Sequence, residues 1–286
     1  MSDSLARHRR LSPLVRGSIG LHAGALGAAL IPGAWPWSLA AIAANHALLT
    51  ATGLWPRSTW LGANVLRLPI TPGAAPIAIT IDDGPDPAIT PQVLDQLDAG
   101  GAKATFFCIG ERAARHPQLA REIVRRGHAI ENHSQRHRHH FSLLGPRGLE
   151  REIGAAQQSI ANAVGRAPLF FRAPAGLRNP FLDPVLQQLG LRLVSWTRRG
   201  FDTRTSDPQQ VLDRLTRRLA AGDILLVHDS HCAKASDGQP VVLQVLPKLL
   251  EAITAAGLRT ELLEHALASP IDNPQPIHPH RPHPAA

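Results

Sequence analysis

The stretch IAITIDDGPDPAITP, Ile77 to Pro91, decides how the rest of the chain is read. Ile77-Ala-Ile-Thr-Ile81 has the apolar, β-branched character of a buried strand. The run stops at Asp82 and Asp83, and Gly84, Pro85, Asp86 and Pro87 turn the chain at once. Adjacent like charges at a strand end repel, so a partner that uses the charge is expected there. An Asp-Gly-Pro turn with no further role is the plainer alternative.

Outward from this stretch, short apolar runs alternate with amphipathic helical patterns. Strands are expected at 77–81, 104–110, 128–132, 169–173, 191–196 and 223–228, with a last one near Leu258. Helices are expected at Pro91–Ala99, Pro117–Arg126, Gly148–Val164, Pro180–Leu189, Pro208–Ala220 and Val241–Ala256. Such alternation implies an α/β fold with a mainly parallel sheet, and about seven units suffice to close or nearly close a (β/α) barrel. Active sites of such barrels gather at the C-terminal strand ends, where Asp82 and Asp83 fall.

At 286 residues and 44% hydrophobic, the chain can bury one large core or a core with a small appendage. The net charge of +8 is almost wholly arginine, because Lys103, Lys234 and Lys248 are the only lysines. The arginines are scattered and no basic strip interleaved with aromatics occurs, which argues against nucleic acid as a partner. Cys108 and Cys232 make no disulfide framework. Cys108 reads as a small buried residue, and Cys232 as a loop residue whose alternative is a place near a metal.

The N-terminal part differs in kind. Residues 1–16 are basic, with Arg7, Arg9, Arg10 and Arg16, whereas 17–56 hold no Asp, Glu, Lys or Arg. The motif Ile31-Pro-Gly-Ala-Trp-Pro-Trp37 breaks that apolar segment and places aromatics at the break. A membrane hairpin or re-entrant anchor is expected over 17–56, and a water-soluble helical hairpin packed on the main domain is the alternative. As a hairpin flanked by arginines, it would hold the following domain on the cytoplasmic face; with a single span that domain would be exported. The main domain is expected over 66–268. The proline-dense tail 269–286, with His278, His280 and His283, has the composition of a disordered segment.

Further chemistry-bearing residues fall at the other strand ends. His133 and His137 are four apart, the spacing that places two imidazoles on one side of a helical turn and lets them grip one metal. Arg172 stands at the end of the fourth strand, Asp202 after the fifth and His228 at the end of the sixth. Each has a plainer reading: a surface ion-pair partner for Arg172, a helix cap for Asp202, a polar loop residue for a histidine. His128, His139, His140 and His231 are read as loop residues, and Asp86 as part of the turn.

From about Ile77 to Leu263 the chain resembles the NodB homology domain of the polysaccharide deacetylases, carbohydrate esterase family 4. The resemblance rests on Thr80-Ile81-Asp82-Asp83-Gly84, His133-Ser134-Gln135-Arg136-His137, Arg172-Ala173-Pro174-Ala175-Gly176, Trp196 with Asp202, and Leu226-Val227-His228. It implies a distorted (β/α) barrel and a metal-dependent hydrolase that removes an N-acetyl group from an amino sugar in a polysaccharide, oligosaccharide or lipid-linked glycan. Removal of a formyl or other small acyl group from a lipid-carried sugar, or a silent glycan-binding module, are the alternatives.

By the same resemblance Asp83, His133 and His137 hold a divalent metal, most often zinc, with other transition metals in some members. Asp82 is the general base, oriented by Arg172, and His228 is the general acid, oriented by Asp202. The Ala175 N–H faces the oxyanion, and Trp196 and Leu226 line the acetyl pocket. Ile81, Ala175, Arg199 and Thr203 depart from the usual pattern, a difference that bears on the substrate subsites more than on the chemistry.

Overall fold

The computed structural model describes residues 11–268. The expectations for residues 1–10 and for the tail 269–286 lie outside the described residues.

Seven parallel strands form the sheet: β1 (Pro76–Asp82), β2 (Ala104–Cys108), β3 (Ala129–Asn132), β4 (Phe170–Phe171), β5 (Arg192–Leu193), β6 (Arg198–Arg199) and β7 (Ile224–His228). Their spatial order is β5-β4-β3-β2-β1-β7-β6, and β8 (Arg259–Thr260) pairs in parallel with the start of β1. The sheet curls into a distorted (β/α) barrel, as expected. Strand parity sorts the core. Ile77, Ile79 and Ile81 of β1, Phe106 and Cys108 of β2, and Leu225 and Val227 of β7 pack under the outer helices. Ala78, Phe107, Ile224 and Leu226 face the other way, into the barrel with Trp196 and Phe170. By the same parity Thr80, Asp82 and His228 face the barrel interior.

One strand expectation needs correction. The run 191–196 is not one strand: β5 and β6 lie at opposite edges of the sheet, so the chain between them crosses the seam of the barrel. Val65 pairs with the crossing segment, donating to the Leu193 carbonyl at 2.9 Å while its own carbonyl accepts from Ser195 N at 2.9 Å. A residue from upstream thus satisfies backbone groups of that segment that an edge would leave open.

The outer helices follow the expected pattern within a few residues: α3 (Thr90–Ala99), α5 (Pro117–Arg125), α6 (Pro146–Val164), α7 (Leu182–Leu189), α8 (Pro208–Thr216) and α9 (Val241–Ala255). The short α4 (Gly110–Arg115) and α10 (Leu263–Ala266) were not expected. Upstream, α1 (Pro13–Ala28) and α2 (Trp35–Leu54) form a helical hairpin. Among the described residues no helix is long and apolar enough to cross a membrane.

Candidate active site

The register of the central strands builds the site. Asp82 stands opposite Phe107 of β2 and opposite His228 of β7, so a carboxylate and an imidazole end adjacent strands on the same inward face. Asp83 leaves that alternation. Its backbone is left-handed, with φ of 77°, a conformation that Asp tolerates better than most side chains. The two aspartates therefore point to different neighbours.

Asp82 is buried and accepts from Arg172 Nη1 at 2.6 Å. Arg172 is itself fully buried, yet its guanidinium is well satisfied. It donates to Thr80 Oγ1 at 2.8 Å, to the Ser195 carbonyl at 3.0 Å and to the Val194 carbonyl at 3.3 Å. It also stacks over Phe107 at 4.1 Å from the ring centroid. A planar fork with this many fixed acceptors can hold a charge in the barrel where a lysine would leave gaps.

Asp83 faces the histidines. Its Oδ1 lies 3.3 Å from His133 Nε2 and 3.4 Å from His137 Nε2. These three side chains offer ligand atoms within 4.8 Å of one another. The His133 Nδ1 lies 2.8 Å from the Arg172 carbonyl, which can only accept, so Nδ1 carries a proton and Nε2 faces Asp83. Asp83 Oδ1 is buried and accepts no hydrogen bond. Acceptors converging in this way need a cation or extra protons between them, and an oxygen with two imidazole nitrogens suits a divalent transition metal.

Burial alone raises the Asp83 carboxyl pKa, but the imidazoles of His133 and His231 outweigh it and hold it well below the usual range. Burial, with His133 beside it, pushes His137 down to about 4.

The two histidines do not sit on a helical turn. Ser134 (φ 65°) and His137 (φ 48°) are both left-handed, and the loop is tied by Asn132 Oδ1 accepting from Ser134 N and by Ser134 Oγ accepting from His137 N. The rings still meet, with centroids 4.9 Å apart. The i, i+4 spacing found the pair for a different geometric reason than the one that brings it together.

His228 is held twice by Asp202. Its backbone N–H donates to Asp202 Oδ2 at 2.7 Å, and its Nδ1 lies 2.9 Å from Oδ1. Burial by itself lowers the His228 pKa, but the Asp202 charge and hydrogen bond prevail and raise it to about 9. The imidazole is therefore a cation at neutral pH, with Nδ1 occupied by Asp202. Asp202 is no helix cap; α8 is capped by Asp207 instead.

These groups open onto one cleft of about 550 Å³, whose wall includes Ala175, Gly176, Trp196 and Leu226. Ala175 has a left-handed backbone (φ 54°), which exposes that wall. All ten residues singled out from the sequence thus lie in or directly behind the cleft.

Sequence reasoning passed over two others. His231, read as a loop residue, lies 3.3 Å through Nδ1 from Asp83 Oδ2 and lines the cleft. Arg112 of α4 hydrogen-bonds to Ser230, reaches His231 Nε2 at 3.2 Å and pairs with Asp86 at 3.8 Å. The available signal was the position of His231 three residues after His228 on one loop. Cys232, the next residue, has its thiol pushed up to about 11 by burial, so it stays protonated.

A family model described as polysaccharide deacetylase matches residues 70–194. The peptidoglycan-N-acetylglucosamine deacetylase of Bacillus cereus is 33% identical over 195 residues, covering 66% of this chain and 88% of that protein. A chitooligosaccharide deacetylase of Sinorhizobium fredii is 35% identical over 158 residues, 55% of this chain and 73% of the relative. Among solved structures, a family 4 carbohydrate esterase from Streptomyces lividans in complex with acetate superposes with a TM-score of 0.60 at 31% identity, covering 66% of this chain and 93% of that one. With the barrel, the cleft and these likenesses together, the chain belongs to the polysaccharide deacetylase family.

Proposed function

We propose that this chain, an amide-hydrolysing deacetylase by family, depends on a divalent metal and removes an N-acetyl group from an amino sugar within a glycan. The observation that carries the reading is the meeting in one cleft of the Asp83–His133–His137 cluster, the Arg172-held Asp82 and the Asp202-held His228. Held by Asp83, His133 and His137, a divalent ion, zinc before other transition metals, supplies Lewis acidity toward water and the amide oxygen.

The rest belongs to the chain. Asp82 has Oδ1 committed to Arg172, which leaves Oδ2 to take the proton of the attacking water. His228 has Nδ1 committed to Asp202, so its Nε2 proton is the one available to the departing amine nitrogen as the C–N bond breaks. The products are acetate and a free amine, and the two proton transfers balance. The Ala175 N–H is assigned to the charge that develops on the amide oxygen. Trp196 and Leu226, which line the cleft, are assigned to the acetyl methyl. Arg112, Arg115, Arg136, Arg199 and Arg204 also line the cleft, which favours a glycan bearing negative charge.

A silent glycan-binding module has no use for a matched base and acid. A deacylase of a lipid-carried sugar is the second reading, favoured by the seating of the α1–α2 hairpin against the cleft wall described below. The test is release of acetate from N-acetylglucosamine oligomers by the full chain. Chelation should reduce turnover by at least about 100-fold and zinc should restore it. Full turnover after complete metal removal contradicts metal dependence, and faster release of formate from N-formyl analogues favours the second reading.

A further inference from the structure

The α1–α2 hairpin is built inside out for water. Its buried residues are Ser18 and Ala25 in α1, and Ser38, Asn45, Thr52 and Gly53 in α2. Apart from Gly53 they are spaced seven apart, the repeat that keeps one stripe of each helix on the seam. Asn45 Nδ2 donates to Ser18 Oγ at 2.8 Å across that seam, and the His22 and His46 rings meet with Nε2 atoms 3.2 Å apart. Thr52 Oγ1 returns to the Leu48 carbonyl at 2.6 Å. The polar groups are thus satisfied within the hairpin, as a helix pair in lipid requires and one in water does not.

The outward surface is apolar. Ile19, Leu26, Leu30, Trp35, Trp37 and Leu39 are all more than half exposed, with Leu30 at 86% and Trp37 at 76%. At about 100° per residue, Trp35 and Leu39 fall on one flank of α2, Trp37 and Leu48 on the other, and Leu54 between them. An apolar surface that wraps all sides except the seam suits an enveloping solvent rather than one flat protein partner. No Asp, Glu, Lys or Arg occurs from Gly17 to Pro56, while Arg16 and Arg57 stand at the two ends where the hairpin leaves. The exposed Trp55 and Trp60 accompany them, at the level where aromatics favour a bilayer interface.

The foot of the hairpin is keyed into the cleft wall. The Gly53 carbonyl accepts from Arg178 N at 3.0 Å, and a Cβ on Gly53 would collide with the Arg178 carbonyl oxygen. The Pro56 carbonyl accepts from Ser195 Oγ at 2.8 Å. The Pro56 ring and Trp196 occupy the space that a Cβ on Gly176 would fill. Gly176 and Trp196 both line the cleft.

We propose that the hairpin inserts into a lipid bilayer from one side, tip first and without crossing it, and so holds the cleft at the bilayer surface, where an N-acylated sugar carried on a lipid can reach it. The helices of 16 and 20 residues extend about 24 and 30 Å, and the Pro32–Gly33 turn brings the chain back to the side it entered. The choice of a lipid-carried substrate rests on the deacetylase reading; the insertion does not.

Four of the five tryptophans, Trp35, Trp37, Trp55 and Trp60, lie in the hairpin or at its foot, so intrinsic fluorescence reports it. The full chain is floated with vesicles of phosphatidylethanolamine and phosphatidylglycerol, with and without doxyl-labelled lipids. Co-flotation with strong quenching by acyl-chain doxyl groups is expected, and the double variant Leu26→Asp with Leu39→Asp should lose at least about tenfold of the bound fraction. That variant should still release acetate from soluble N-acetylglucosamine oligomers as the parent does, which shows that it folds.

A second arm uses an alkyl glycoside of di-N-acetylchitobiose held in the same vesicles. The parent should prefer it over the soluble sugar, and the variant should not. Adsorption without acyl-chain quenching, or a stable dimer with tryptophans shielded in the absence of lipid, overturns the insertion. Insertion with no acetate from either sugar leaves the anchor standing and refutes the deacetylase reading instead. Equal rates on both sugars overturn the placement of the cleft.

Discussion

In β1 the isoleucines 77, 79 and 81 are hidden under helices, and the charges of Asp82 and Asp83 gather at one end of the strand. In α2 the reverse holds: Ser38, Asn45 and Thr52 are hidden, while Trp37, Leu39 and Leu48 face outward. The barrel encloses apolar groups and holds the charge of Arg172 with four hydrogen bonds, one of them to the apposed Asp82 carboxylate. The hairpin encloses small polar groups and offers its hydrocarbon to the surroundings. A region discloses its medium by what it hides, and by that test these two regions of one chain are made for different media. The difference also sets what a substitution should do in each.

The largest effect on stability is expected at the buried ion pair of the barrel. Arg172→Met removes the partner of a buried carboxylate and leaves Asp82 uncompensated, which should cost about 3–5 kcal/mol. The denaturation midpoint of the full chain measures it. A loss below about 1 kcal/mol would show that the barrel tolerates an unpaired charge and would dissolve the contrast.

Next comes Asp202→Asn, which sharpens the account of the acid. Turnover should fall on the order of 100-fold, and the alkaline limb of the pH–rate profile should move down from about 9 toward the ordinary imidazole range. The sign follows from the raised pKa. A folded imidazole that titrates above its unfolded value of 6.5 contributes stability that is complete below that pH and is lost as the pH rises through about 9. The variant should therefore show a flatter stability profile between those limits. An unmoved alkaline limb would detach His228 from the acid role.

The smallest effect belongs to the hairpin. Asn45→Ala breaks the bond to Ser18 Oγ, but Ser18 can turn to its own helix, so about 0.5–1.5 kcal/mol is expected. Hydrogen exchange in α2 should lose less than about tenfold in protection. A loss comparable with that of Arg172→Met would make the seam a core like that of the barrel.

Much of the barrel was legible because parity is local. Ile77, Ile79 and Ile81 announce a strand, and the same alternation carries Thr80 and Asp82 inward without knowledge of the fold. The division of 191–196 was not legible. Leu191, Leu193, Val194 and Trp196 read as one apolar run, and only the pairing of β5 with β4 and of β6 with β7 shows that the chain leaves one edge there and joins the other. At the site, residue types and order pointed to Asp82, Asp83, His133, His137, Arg172, Asp202 and His228. His231 escaped because its approach to Asp83 depends on a left-handed backbone (φ 57°) that no residue spacing encodes. In the hairpin, the place of Asn45 on a seven-residue seam is visible only once α2 faces α1.

The central claim is that two adjacent aspartates do different work, one handling protons beside Arg172 and the other holding metal beside His133 and His137. Metal content and turnover of Asp82→Asn and Asp83→Asn, measured side by side on the full chain, test it most directly. Asp82→Asn should keep about one divalent ion per chain and lose orders of magnitude in turnover, whereas Asp83→Asn should lose the ion and the activity together. Loss of metal from Asp82→Asn with retention by Asp83→Asn would contradict the assignment.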